Sequence, residues 1–161
     1  RRQRQMCIRD SAKKAALEHA EIFGPDHYYL ELQNHGLPEQ PKVNDQLVRL
    51  SEETGLPLVV TNDAHYLRQE DAKIQDVLMC IQMGKTVDDT NRLRFETQEF
   101  YLKSEEQMRE LFSAYPEAIE NTAKIAARCN VEFTFGKYHL PEFKLPAGYD
   151  SLTYLLSLIH I

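Results

Sequence analysis

Asp63 and His65 stand two residues apart in the run Thr61-Asn62-Asp63-Ala64-His65-Tyr66, which follows the apolar stretch Leu56-Pro57-Leu58-Val59-Val60. The apolar stretch reads as a buried strand. A carboxylate and an imidazole just past the carboxyl end of such a strand can converge on one point, the place where α/β barrels and open α/β sheets keep their chemistry. The pair supplies one oxygen and one nitrogen donor, a set suited to a divalent transition metal. Asp-x-His alone is a weak motif, and the strand before it is what gives it weight. The competing structural roles are an Asx-turn at Asp63 and a core histidine bonded to backbone at His65. Two protein ligands are also fewer than a catalytic zinc site uses, so a metal here would need partners from elsewhere.

The remaining chemistry-bearing residues are weaker candidates. Glu31, Gln33 and His35 alternate from a strand into its following loop and could line a polar barrel mouth. The turn chemistry of Asn34 and Gly36 favours a strand edge followed by a turn histidine. Gly84-Lys85-Thr86 imitates the end of a phosphate-binding loop, but Met79 stands where that loop needs a glycine, and the segment ends a helix instead of starting one. A glycine C-cap explains it. His19, His27 and His139 have no acidic or thiol neighbour at ligand-like spacing. Asp88, Asp89, Asn91, Arg92 and Arg94 form a polar run expected to be a solvated loop, with a phosphate contact from Arg92 or Arg94 left open. Cys80 and Cys129 lack the close spacing of a zinc ribbon or disulfide scaffold, and each falls on an apolar helix face, so buried thiols are expected.

The elements that must position these residues follow from periodicity and punctuation. Residues 12–23 read as a helix broken by Gly24-Pro25-Asp26, and residues 27–32 as a strand. Val43, Leu47 and Leu50 mark a helix over 43–54 that Gly55 ends. A helix over 70–83 carries Ile74, Val77, Leu78 and Ile81 on one face. Phe100-Tyr101-Leu102 suits a short strand. Ser104-Glu105-Glu106-Gln107 is a capping box, and Pro116 fits the first residue of a further helix to about Cys129. From Asn130 the chain is irregular, with Pro141 and Pro146. Helix and strand alternate as in parallel α/β units.

Both termini read as foreign to this pattern. The last six residues of Arg1–Ser11 and the run Leu156–Ile161 can be encoded by inverted copies of one DNA segment, which resembles the end of a transposon-based sequencing adapter. Residues 1–11 and 156–161 are therefore expected to be adapter-like, and the native part to be an internal piece, 12–155, of a longer protein. Removing them lowers Lys plus Arg from 19 to 15 and Asp plus Glu from 25 to 24, which moves the formal charge from −6 to −9. So acidic a segment is a poor candidate for gripping nucleic acid over its whole surface, and any such contact must be local. No apolar stretch approaches membrane-spanning length.

Several blocks in order carry a resemblance to a known family. They are residues 29–40 (Tyr-Leu-Glu-Leu-Gln-Asn-His-Gly-Leu-Pro-Glu-Gln), residues 61–66, Arg94-Phe95 through Ser104, Cys129-Asn130-Val131, and residues 136–141 (Gly-Lys-Tyr-His-Leu-Pro). Together they closely resemble the alpha subunits of bacterial DNA polymerase III, in the later part of the polymerase-and-histidinol-phosphatase (PHP) domain. The resemblance implies a partial distorted (β/α) barrel over residues 12–140, then a connection toward the polymerase palm over 141–155. It implies a divalent metal, zinc or manganese, with Asp63 and His65 as the last two ligands of a cluster whose earlier members lie outside this chain. A 3′–5′ exonuclease activity of that domain, DNA synthesis with magnesium in an absent palm, and a bacterial cytoplasmic location follow from the same resemblance. So do DNA, deoxynucleotides, a sliding clamp and other replisome subunits as partners, with no membrane contact. No residue of this segment is assigned a certain catalytic role. The alternatives are a non-catalytic, subunit-binding PHP domain of the same polymerase and, more remotely, a stand-alone PHP phosphoesterase.

Overall fold

The computed structural model of the chain describes residues 2–141 and 143–160, with side chains from Asp10 onward. Arg1, Glu142 and Ile161 lie outside the described residues, so the expected adapter-like runs 1–11 and 156–161 are described only in part. The chain divides into two compact units, residues 1–129 and 130–161.

A βαβ unit organises the first. Strand β1 (Leu30–Leu32) leads through helix α2 (Gln40–Thr54) to strand β2 (Leu58–Val60), and the strands pair in parallel with Leu30 opposite Leu58 and Leu32 opposite Val60. Both expected strands are thus present but shorter than their apolar runs, because the ladder closes where Thr61 N–H reaches the Leu32 carbonyl. Leu30 and Leu32 are buried and Glu31 between them is exposed, the period-2 alternation of a pleated strand. The buried face of the strands is covered in two patches. Leu32 and Val60 pack with Phe112, Ala118 and Ile119, while Leu30 packs with Ala16 and Leu50. These patches come from α1 (Arg2–Phe23), α2, α4 (Glu105–Leu111) and α5 (Pro116–Arg128).

Local signals account for most helix ends. Ser104 accepts from Gln107 N–H, and the Gln107 carboxamide returns the bond to Ser104 N–H, which is the anticipated capping box. Pro116 opens α5, and Gly55 and Gly84 close their helices in the left-handed region. Helix α2 starts at Gln40, ahead of Val43, because Pro41 in its first turn needs no N–H partner. Helix α1 starts at Arg2, since neither glycine nor proline interrupts residues 1–23.

Two packing expectations fail. The helix over 70–83 is a 3-10 turn (Gln69–Asp71) followed by α3 (Ala72–Met83), and its predicted inner face is turned to solvent: Ile74, Val77, Leu78 and Ile81 are all exposed. Only Cys80 of α3 is buried. Cys129 is exposed, not buried, because it is the cap residue after α5 with an extended backbone that leaves the helix. The second unit carries α6 (Ser151–Ile159), capped by the Asp150 carboxylate on Thr153 N–H (2.7 Å). Tyr154 of that helix stacks on Phe143.

Candidate functional site

Parallel pairing puts the loops that leave β1 and β2 on the same side of the sheet, and the two polar runs identified from sequence meet there. Glu31 and Thr61 are joined by the Thr61 hydroxyl donating to Glu31 Oε1 at 2.5 Å, and Gln33 Nε2 donates to Thr61 Oγ1 at 3.1 Å. Asn44 of α2 holds the Gln33 carbonyl at 2.9 Å. The alternation Glu31, Gln33, His35 therefore does reach a polar cluster with the Asp63 loop.

His35 is the largest departure from the sequence expectation. It is not a turn histidine at the surface; it is 1% exposed. The tight turn that admits it was anticipated: Asn34 Oδ1 accepts from Gly36 N–H at 3.1 Å, and Gly36 has φ +72°. Gln40, at the start of α2, then takes His35 N–H on Oε1 (2.6 Å) and places Nε2 3.0 Å from His35 Nδ1. On its far side His35 Nε2 accepts the backbone N–H of Asp63 at 3.1 Å. The ring lies flat on Phe100, with centroids 4.6 Å apart and planes 3° from parallel. Burial, and then the nearby Lys103 ammonium, lower the His35 pKa from its ordinary value, which keeps the ring neutral and Nε2 free to accept.

Asp63 and His65 are brought together, with Asp63 Oδ1 3.1 Å from His65 Nε2 and both side chains partly open to solvent. Neither competing role holds: the Asp63 carboxylate faces its neighbour imidazole, and the His65 ring lies at the surface. The His65 backbone is fixed where its N–H donates to the Phe100 carbonyl at 2.8 Å, and Tyr66 bridges in parallel to Tyr101. The ring is held by Phe95 (4.8 Å) and, edge-on, by Phe100 (5.8 Å). The possible strand Phe100–Leu102 is thus an isolated bridge that props the loop. The 62–66 loop can present an oxygen and a nitrogen donor side by side. Among the described residues, no group of three or more His, Cys, Asp or Glu lies close enough to hold a metal. The donor types fit a transition metal, and the two residues would form one edge of its coordination shell.

Arg92 is the second departure. Expected in a solvated loop, its side chain is 4% exposed and grips Asp76 of α3 with both terminal nitrogens, at 2.5 and 2.7 Å. The paired guanidinium lowers the Asp76 pKa. Asp89 instead holds the loop, accepting from Thr86 N–H at 2.7 Å. Sequence reading gave Phe100 to a short strand and Phe95 to a block of family resemblance, and assigned neither a place against His65. The aromatic residues at 95 and 100 around the Arg94 block were the available signal.

No family model matches the chain. Over 153 residues it is 47% identical to DNA polymerase III subunit alpha of Treponema pallidum, covering 92% of this chain and 13% of that protein. The corresponding protein of Thermus aquaticus is 43% identical over 158 residues, with the same coverages of 92% and 13%. The chain is homologous to one segment of the DNA polymerase III alpha subunit. That of Helicobacter pylori strain 26695 is 49% identical over 123 residues, 76% of this chain and 10% of the relative. The chain thus spans about an eighth of the length of DNA polymerase III alpha subunits such as that of Treponema. Among the described residues, no helix is long and apolar enough to cross a membrane.

Proposed function

We propose that this chain is the later part of a PHP-type domain in a replicative DNA polymerase, and that Asp63 and His65 bind a divalent metal, zinc or manganese, used in 3′–5′ hydrolysis of DNA. The single observation that carries the reading is the Asp63–His65 pair, both side chains open, at the carboxyl end of a parallel strand pair in a segment homologous to DNA polymerase III alpha. On this reading β1, β2 and their helices are part of a distorted (β/α) barrel. Template-directed synthesis from deoxynucleotides, with magnesium, belongs to a palm elsewhere in the whole protein, and so do contacts with a sliding clamp and other replisome subunits.

When bound, the metal would activate water and neutralise charge on the scissile phosphate. This chain's residues do the positioning. Asp63 offers its carboxylate and His65 its neutral imidazole. The buried His35 fixes the Asp63 backbone from behind, leaving the carboxylate to face outward. Phe95 and Phe100 restrict the His65 ring to one orientation, as aromatic packing around a ligand does in preorganised sites. The 3.1 Å contact between Asp63 and His65, which lets the two side chains satisfy each other without a metal, favours a second reading, in which the same domain is a structural, subunit-binding platform of the polymerase.

Metal analysis of the intact polymerase separates the two. Purified without chelators, it should retain near-stoichiometric zinc or manganese, and Asp63→Asn should lower both metal content and exonuclease activity while leaving primer extension intact. Negligible metal in the wild type would exclude the catalytic reading and leave the structural one.

A further inference from the structure

A cavity of about 230 Å³ opens beside the Asp63–His65 pair, bounded by Tyr66, Lys73, Asp76, Arg94, Phe95 and Glu96. It shares a wall with the pair: Phe95 lines the cavity and also packs 4.8 Å from the His65 ring, and Tyr66 is the next residue along the loop. Its electrostatics differ from those of the chain. Asp76 is neutralised by the two-pronged grip of Arg92. Neither Lys73 nor Arg94 makes a hydrogen bond or contact ion pair among the described residues. The charged lining is balanced, Lys73 and Arg94 against Asp76 and Glu96, and with Asp76 engaged by Arg92 from outside the lining, Lys73 and Arg94 are the cations left to meet a ligand. Ala72 and Lys73 bring the first turn of α3 to the cavity.

We propose that this cavity is a phosphate subsite, in which Lys73 and Arg94 hold a backbone phosphate of a single DNA strand whose end reaches Asp63 and His65. The inference rests on the phosphodiester-hydrolysis reading above and supplies what that site lacks, a local cationic hold on the strand in an acidic segment. Arg94 provides a planar fork for phosphate oxygens and Lys73 a point charge. Glu96 opposes the ligand and limits its affinity, so that the strand can leave.

The test is strand binding by the chain itself in chelator, so that neither metal nor hydrolysis enters. Fluorescence anisotropy of a labelled oligothymidylate is followed across a salt series, with circular dichroism confirming that each variant keeps its helicity. Arg94→Ala and Lys73→Ala should each weaken binding about tenfold and reduce the log–log salt slope by about 0.7. Arg94→Lys should restore the slope. Glu96→Gln should tighten binding, and Arg109→Ala, whose arginine pairs with Glu105 on α4, should leave it unchanged. Equal affinity and slope in wild type, Arg94→Ala and Lys73→Ala would overturn the proposal, as would no strand binding by the wild type at low salt. Binding of this form with a metal-free polymerase would sink the hydrolytic reading and leave the subsite standing.

Discussion

Replacing His35 tests whether the Asp63 loop is held from the core. The ring contributes three separable things: filled volume at 1% exposure, a flat stack on Phe100, and an acceptor for the Asp63 N–H at 3.1 Å. His35→Phe keeps volume and stack and removes the Nε2 acceptor together with the Nδ1 contact to Gln40 Nε2, leaving partly buried polar groups without a partner, which costs about 1–3 kcal/mol. His35→Ala also loses the stack, about 0.5–1.5 kcal/mol, and leaves a cavity, so its total is about 3–5 kcal/mol. The assay is urea denaturation followed by circular dichroism, with the two variants compared at fixed protein concentration. The expected order is wild type, then Phe, then Ala, separated by midpoints that convert to those differences. A double-mutant cycle with Phe100→Leu should return a coupling of about 1 kcal/mol. An Ala variant within about 0.5 kcal/mol of wild type, the range of an unremarkable surface change, would refute the idea that the core histidine supports the loop.

Four further outcomes follow from the same geometry. His35 has a lowered pKa, so the unfolded chain takes up its proton first as pH falls; stability should therefore decline below about pH 6.5, with Lys103, Asp63 and His65 the nearby charges, and this decline should shrink in His35→Phe denaturation curves. Gly36→Ala should cost about 1–2 kcal/mol by forcing a left-handed backbone on alanine, because a Cβ there meets Thr97 Cγ2 at an ordinary 3.6 Å and adds no clash of its own. Asn121→Ala should cost about 1–3 kcal/mol in thermal or chemical unfolding, since the buried Asn121 Nδ2 donates to the Leu58 carbonyl at 2.8 Å and ties α5 to β2. Ser104→Ala should cost about 1 kcal/mol through loss of the cap, seen as fraying of α4 in amide exchange.

What could be read from the sequence was local. The capping box at Ser104, the proline start of α5, the glycine ends of α2 and α3, and the Asn34–Gly36 turn each depend on a few adjacent residues and a backbone rule. So does the placing of Asp63 and His65 just past a buried strand. What could not be read depends on pairs distant in sequence. His35 is buried because Gln40, Asp63 and Phe100 converge on it, and nothing in Asn34-His35-Gly36 distinguishes that from a surface turn. Arg92 looked solvated among polar neighbours because its partner, Asp76, lies 16 residues earlier on another element. The inner face of α3 was misjudged for a related reason: periodicity shows that a helix has an apolar side but does not supply the element that covers it.

That uncovered side has a consequence for stability. Burying an Ile, Val or Leu side chain contributes about 1.5–3 kcal/mol, and Ile74, Val77, Leu78 and Ile81 forgo most of it at exposures from 45% to 71%. Helix α3 is then held mainly by Cys80 and by the Arg92–Asp76 pair, while β2 is enclosed between β1 and α5 around Leu32, Val60 and Ile119. The two regions should open separately. Amide exchange of this chain should show Val59 and Val60 protected well beyond the amides of α3, and thermal unfolding should be broad. Arg92→Ala should melt α3 first, with little effect on exchange in β2, because it removes the only ion pair anchoring that helix among the described residues. A single sharp transition, with α3 amides as slow as those of Val60 in wild type and lost together with them in Arg92→Ala, would show that the helix and the sheet form one cooperative unit and that the exposed apolar face carries no penalty of this size.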